Sequence, residues 1–148
     1  MSAISASQVK ELREKTGLGL MDCKKALEEA NGDIDLAIEE LRKTSGIKAS
    51  KKSGRSAADG LIGITDKDKN FFMIEVNCET DFVARDDSYI NFTKETLDTY
   101  SNNPSHSLEQ LLESGVEDNR EKLVQKLGEN IVVRRLTKSD ASSISGSY

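Results

Sequence analysis

The sequence predicts an α+β protein, a small helical bundle followed by a mixed core, on three observations. Apolar residues recur at helical spacing three times in the first 45 residues. The period then drops to that of strands in two runs between Leu61 and Val76. Strand character returns at Ile131–Leu136 after further helical stretches. Of 148 residues, 36% are hydrophobic, enough for compact cores, and 32% are charged, so the surface is heavily solvated.

Ser5-Ala6-Ser7-Gln8 has the S-x-x-Q form of a capping box, in which a hydroxyl and an amide satisfy orphan backbone groups ahead of the apolar positions Val9 and Leu12. The helix it starts is predicted to run to about Thr16 and to break at Gly17-Leu18-Gly19. Leu20, Cys23, Leu27 and Ala30 then mark a second helix, stopped in a left-handed conformation at Asn31-Gly32. Asp33 caps a third, with Ile34, Ala37, Ile38 and Leu41 on one face and Glu39, Glu40, Arg42 and Lys43 on the other. Three helices of this size bury only a small core, so residues 1–45 are expected to form a compact but marginal domain. Residues 46–57, GIKASKKSGRSA, lack apolar periodicity and read as a basic linker.

Residues 58–139 are expected to form the α+β core. Leu61, Ile62 and Ile64 and the run Phe71–Val76, joined by the polar turn Asp66–Asn70, predict an antiparallel hairpin. Ile90, Phe92 and Leu97 give an imperfect helical spacing from about Asp87 to Tyr100. Two shorter helices are predicted over Ser107–Glu113 and Asp118–Leu127, the second closed by Gly128, and Ile131–Leu136 completes the sheet. Residues 139–148, mostly Ser, read as a frayed tail or a truncated continuation.

The net charge is −5 and unevenly spread: residues 1–55 carry 11 Lys and Arg against 9 Asp and Glu, and the remainder 10 against 17. Neither half has the concentrated positive field that nucleic-acid binding requires, so no nucleic-acid partner is expected. Cys23 and Cys78 stand far apart and His106 is the sole histidine, so the soft ligands of a zinc site are missing and no metal or cofactor is expected. The N-terminus has no apolar signal region and no apolar run approaches 18 residues, which predicts a cytoplasmic protein without a membrane partner.

Gly17-x-Gly19 begins like a dinucleotide fingerprint, but Asp22 stands where the third glycine belongs and no strand precedes it, so it reads as a helix-to-helix turn. His106 follows Pro104 in a polar loop and reads as solvent-facing. Cys78 has no activating partner in the sequence and reads as a packed strand-end thiol. No catalytic residue is assigned. Thr80-Asp81-Phe82-Val83 has two readings. Phe82 can fold back on the hairpin as a satellite of the core, or it can stand out from a short rigid loop, between Asp81 and Arg85, as the aromatic anchor of a protein contact.

Three separated segments in order, VKELREKTGLGLMDCKKALEEANGDIDLAIEELRK (Val9–Lys43), EVNCETDFVARDD (Glu75–Asp87) and GENIVVRRL (Gly128–Leu136), resemble bacterial elongation factor Ts over about residues 3–139. The resemblance implies a ubiquitin-associated-like bundle that docks on the nucleotide-binding domain of elongation factor Tu, GDP-bound or nucleotide-free, through Leu12, Leu20 and Met21. It implies that Thr80, Asp81, Phe82 and Val83 dislodge the partner's magnesium ion, with Phe82 as the wedge, and that Leu127, Gly128, Glu129 and Asn130 match a second contact in which the glycine lets backbones approach. The expected activity is therefore guanine nucleotide exchange in translation elongation, without covalent chemistry. Members of that family usually continue beyond the position of Gly146-Ser147-Tyr148 into a second core subdomain. This chain is accordingly expected to be a fragment, or a reduced form whose second half comes from another subunit, and an apolar face or strand edge so exposed would favour a homodimer. Two other readings compete: a ubiquitin-type adaptor using an exposed apolar turn Leu18-Gly19-Leu20-Met21, and an enzyme using Cys78 or Asp81.

Overall fold

The computed structural model describes residues 4–140. The capping box forms: Ser5 Oγ accepts from the backbone N–H of Gln8 and the Gln8 side chain accepts from the N–H of Ser5, opening α1 (Ala6–Thr16). Gly17 stops α1 in the left-handed region at φ 69°, which glycine adopts at no steric cost. α2 (Leu20–Glu29) ends at Asn31-Gly32, both at positive φ, and Asp33 caps α3 (Ile34–Lys52). Val9, Leu12, Leu18, Cys23, Ala26, Leu27, Ala30, Ala37 and Leu41 close a first core between these helices.

α3 is longer than the sequence suggests, because residues 46–52, read as part of a linker, are helical. Their order comes from tertiary packing rather than from propensity. Ser45 and Ala49 are buried, Ser45 Oγ donates to the Gln125 side chain, and Arg42 makes a two-pronged contact with Asp118 at 3.2 Å. All of these partners lie on α7 (Glu117–Leu127). Gly46 faces Glu121 so closely that an added Cβ would stand 3.2 Å from the carboxylate. One helix thus runs from the first core into the second, to which Ala49 belongs. Burial and the neighbouring carboxylates of Glu117 and Asp118 push the Glu121 carboxyl above its usual range, against the opposing pull of Arg120 and Arg42. A carboxyl whose folded pKa is raised costs stability at pH values above both pKa values and none below the unfolded one. Glu121→Gln is therefore expected to raise the urea midpoint slightly at pH 7 and to lose that advantage near pH 4, read from denaturation curves at the two pH values.

β1 (Asp59–Lys67) and β2 (Asn70–Cys78) pair antiparallel across a two-residue turn, Asp68-Lys69, both at positive φ as a type I′ hairpin turn demands. The turn is tighter than the predicted Asp66–Asn70. β3 (Val132–Asp140) pairs antiparallel with the other edge of β2, giving the order β1-β2-β3. Ser139 and Asp140, predicted frayed, close this strand, and the rest of that predicted tail lies outside the described residues. The β2–β3 register shifts at Glu75/Val76, leaving Arg134 as an extra residue. Its guanidinium donates to Asn77 Oδ1 at 2.6 Å and to the carbonyl of Ala57 at 3.2 Å.

Alternate residues of β2, Phe72, Ile74, Val76 and Cys78, face a second core covered by α5 (Asp87–Asn102). The helical spacing looked imperfect because threonines occupy part of the core face. Tyr89, Phe92, Thr93, Thr96, Leu97 and Tyr100 are buried, while Thr93 and Thr96 return their hydroxyls to the carbonyls of Tyr89 and Phe92. Phe72 and Tyr100 meet edge to face at 5.3 Å. α6 is shorter than predicted (Leu108–Leu111). It passes through a π-type turn, Leu112–Val116, broken by Gly115 at φ 104°, into α7. His106 is half-buried rather than solvent-facing, and its Nδ1 has no partner among the described residues. Also among the described residues, no helix is long and apolar enough to cross a membrane and no group of His, Cys, Asp or Glu could hold a metal ion.

Candidate functional site

β2 ends at Cys78, and the chain turns out of the sheet into α4, one helical turn over Asp81–Ala84. The segment is thus a capped turn rather than the loop expected. Thr80 is its N-cap: extended backbone places its Oγ1 to accept from the N–H of Val83 at 3.4 Å. Ala84 is buried and Val83 half-buried against the core, which fixes one side of the turn. Phe82 lies on the opposite side and is 81% exposed, so it is not a satellite of the core. Asp81 and Arg85 bracket it as an exposed ion pair at 3.2 Å, which contributes little to stability but sets opposite charges beside the ring.

The turn rests on the carboxylate of Glu129, which the sequence places only within the Leu127–Asn130 segment and not against Thr80. Glu129 Oε2 accepts from the backbone N–H groups of Glu79 and Thr80, each at 3.0 Å, and Thr80 Oγ1 donates to Glu129 Oε1 at 2.6 Å. In return Glu79 Oε1 accepts from the N–H of Asn130 at 2.7 Å, with the Arg55 guanidinium 3.5 Å away. Hydrogen bonds therefore join the predicted Thr80–Val83 and Leu127–Asn130 segments at Thr80, Glu129 and Asn130. The signal was present in Gly128-Glu129-Asn130, but only the fold shows where its carboxylate points.

Other expectations change. Leu12 is completely buried in the first core, where its position on the apolar face of α1 sends it, and presents no side-chain surface outward. Leu18 is likewise buried, whereas Leu20 and Met21, one turn further on, are 55% and 72% exposed. The apolar turn needed for a ubiquitin-type adaptor is reduced to those two side chains. Asn130 is buried and donates its Nδ2 to the carbonyls of Ser53 and Arg55, at 3.5 and 2.8 Å, so it staples the chain leaving α3 rather than facing outward. Leu127 is half-buried against the second core. Gly128 is exposed at φ 76°, with nothing within 4 Å of an added Cβ, so within this chain the glycine is needed as a helix stop rather than for close approach.

Cys78 is buried, and its Sγ donates to the carbonyl of Thr80 at 3.2 Å. Burial pushes its thiol above the usual value, so it stays protonated at neutral pH and serves as a donor rather than a nucleophile. Burial likewise raises the Tyr89 phenol, which donates to the carbonyl of Val76 at 2.6 Å. These bonds tie the strand end from which the Phe82 turn departs to Thr80 and to α5.

A family model described as Elongation factor TS matches residues 79–148. Over 99% of its length the chain is 52% identical to the Elongation factor Ts of Marinobacter nauticus, covering 51% of that relative. It is 53% identical to that of Hahella chejuensis, covering 52%, and 49% identical to that of Salmonella agona, covering 52%. The chain spans about half the length of these curated relatives. These identities, which run over nearly the whole chain, together with the family-model match, show that the chain belongs to the elongation factor Ts family.

Proposed function

We infer that this chain promotes release of GDP from elongation factor Tu, docking through the bundle at Leu20 and Met21 and inserting Phe82 beside the partner's magnesium and phosphate site. The observation that carries this reading is a large aromatic side chain held 81% exposed on a capped, anchored turn. Solvation disfavours such a side chain unless another surface covers it, and rigid aromatics dominate protein contacts.

Energetics constrain how the ring acts. Burying one Phe contributes roughly 1.5–3 kcal/mol, about one or two tenfold steps in affinity. That is less than the charge-assisted contacts holding a nucleotide's phosphates and cation supply. The ring therefore works by displacing the groups that hold the cation rather than by outcompeting the nucleotide through its own contact. Linkage makes the effect reciprocal: the factor by which this chain weakens GDP binding is the factor by which GDP weakens binding of this chain, so incoming nucleotide releases it.

The deciding experiment is release of a fluorescent GDP from elongation factor Tu, by stopped flow, with and without the chain. Acceleration is expected, and an unchanged rate at high concentration would sink the reading. Leu20→Asp or Met21→Asp is expected to raise the half-saturating concentration by about tenfold, a charge being costly to bury in an apolar contact, while the maximal rate stays similar. Both side chains are exposed, so circular dichroism should show the bundle intact.

A further inference from the structure

We propose that Glu129 is the positioning residue of the Phe82 turn, and that with Glu79 it forms a reciprocal carboxylate clamp without which the ring is not presented in one orientation. The proposal rests on the exchange reading above for its functional consequence, but its structural content concerns the free chain.

α4 is four residues long, too short to hold its shape as an isolated helix. Inside the turn, only Ala84 is buried. Where β2 ends, the N–H groups of Glu79 and Thr80 leave the sheet, and Glu129 Oε2 accepts from both. The other oxygen, Oε1, accepts a hydrogen bond from the Thr80 hydroxyl, orienting Oγ1 so that its lone pair accepts from the N–H of Val83. A single carboxylate thus sets both the direction in which the chain leaves the strand and the cap of the turn that carries Phe82. Such charge-assisted bonds are stronger and more directional than neutral ones.

The clamp closes in the opposite sense through Glu79, whose Oε1 accepts from the N–H of Asn130. Each acidic side chain therefore fixes the backbone beside the other, and Arg55 near Glu79 offsets the paired negative charge. Because Asn130 also holds the carbonyls of Ser53 and Arg55, the segment leaving α3 is tied to the same node. If the clamp opens, the productive orientation becomes one of several, and the apparent activity falls by the fraction that remains.

The test uses Glu129→Ala and Glu129→Gln in the full chain. The sequence has no Trp, so Phe82→Trp supplies a single fluorophore at the tip of the turn. In the free chain, Glu129→Ala is expected to speed local depolarisation of the introduced indole and to lower hydrogen-exchange protection of the Thr80 amide by at least about tenfold, the equivalent of one charge-assisted bond. Glu129→Gln should change both in the same direction but less, since its amide places an N–H group against the Thr80 hydroxyl. With elongation factor Tu and Phe82 restored, Glu129→Ala should lower the maximal rate of GDP release at an unchanged half-saturating concentration, a split that general destabilisation would not produce. Unchanged depolarisation and protection in both variants would overturn the clamp. A loosened turn with an undiminished maximal rate would overturn the positioning role of Glu129 in exchange. If Glu129→Ala does not fold, Glu129→Gln decides on the same criteria. Failure of the wild-type chain to stimulate release would refute the exchange reading instead, leaving the free-chain measurements to judge the clamp.

Discussion

Phe82→Ala is expected to reduce the maximal rate of GDP release from elongation factor Tu by at least about tenfold, the smaller figure that loss of one buried aromatic contact allows, while the protein keeps its fold. The asymmetry follows from exposure. At 81% exposed, the ring contributes almost nothing to the core, and truncating it should alter stability by no more than about 0.5 kcal/mol, as for other surface substitutions. Its loss should be felt only when a partner covers it. Stopped-flow release at saturating chain, with thermal unfolding as the control, separates the two effects. A rate equal to that of the wild type removes Phe82 from the mechanism. Phe82→Leu should fall between them, because a shorter apolar side chain still displaces neighbouring groups.

Gly60→Ala should be the most damaging small substitution for stability, costing roughly 2–4 kcal/mol, the combined scale of a forbidden backbone conformation and a displaced strand. Gly60 adopts φ 147°, where an L side chain is strained, and pairs with Asn77 of β2. A Cβ there would stand 2.0 Å from the carbonyl oxygen of Val76 and 2.8 Å from the Cα of Asn77. Both obstacles are backbone, so no rotamer change relieves them. The Val76 carbonyl is also the acceptor of the buried Tyr89 hydroxyl, so moving it disturbs a second interaction. Urea unfolding should show a lower midpoint at similar slope. Gly54→Ala is the matched control, with nothing within 4 Å of the added Cβ and no positive φ. Equal midpoints for the two variants would refute the argument.

Much of the fold could be read along the chain because its signals are local. The Ser5 capping box, the Asn31-Gly32 stop, the Asp33 cap and the alternation in Phe71–Val76 each act over a few residues, and each produces the element expected of it. The threonine-filled face of α5 is less legible, since whether it is buried depends on what packs across from it.

The site divides in the same way. The segment Thr80–Val83 stands out in the sequence as an aromatic among charges, but core satellite and exposed anchor predict the same pattern. Only the seating of Ala84 and Val83 against the core decides that Phe82 faces outward. The sequence by itself determined where most of the helices and the hairpin lie, because caps, turns and periodicity are properties of neighbouring residues. Tertiary structure alone decided that Leu12 and Asn130 are internal, that residues 46–52 join α3, and that Glu129 holds a turn about 50 positions away. Burial and hydrogen-bond satisfaction depend on residues remote in sequence, and a carboxylate's partners are fixed only when the chain brings them within reach.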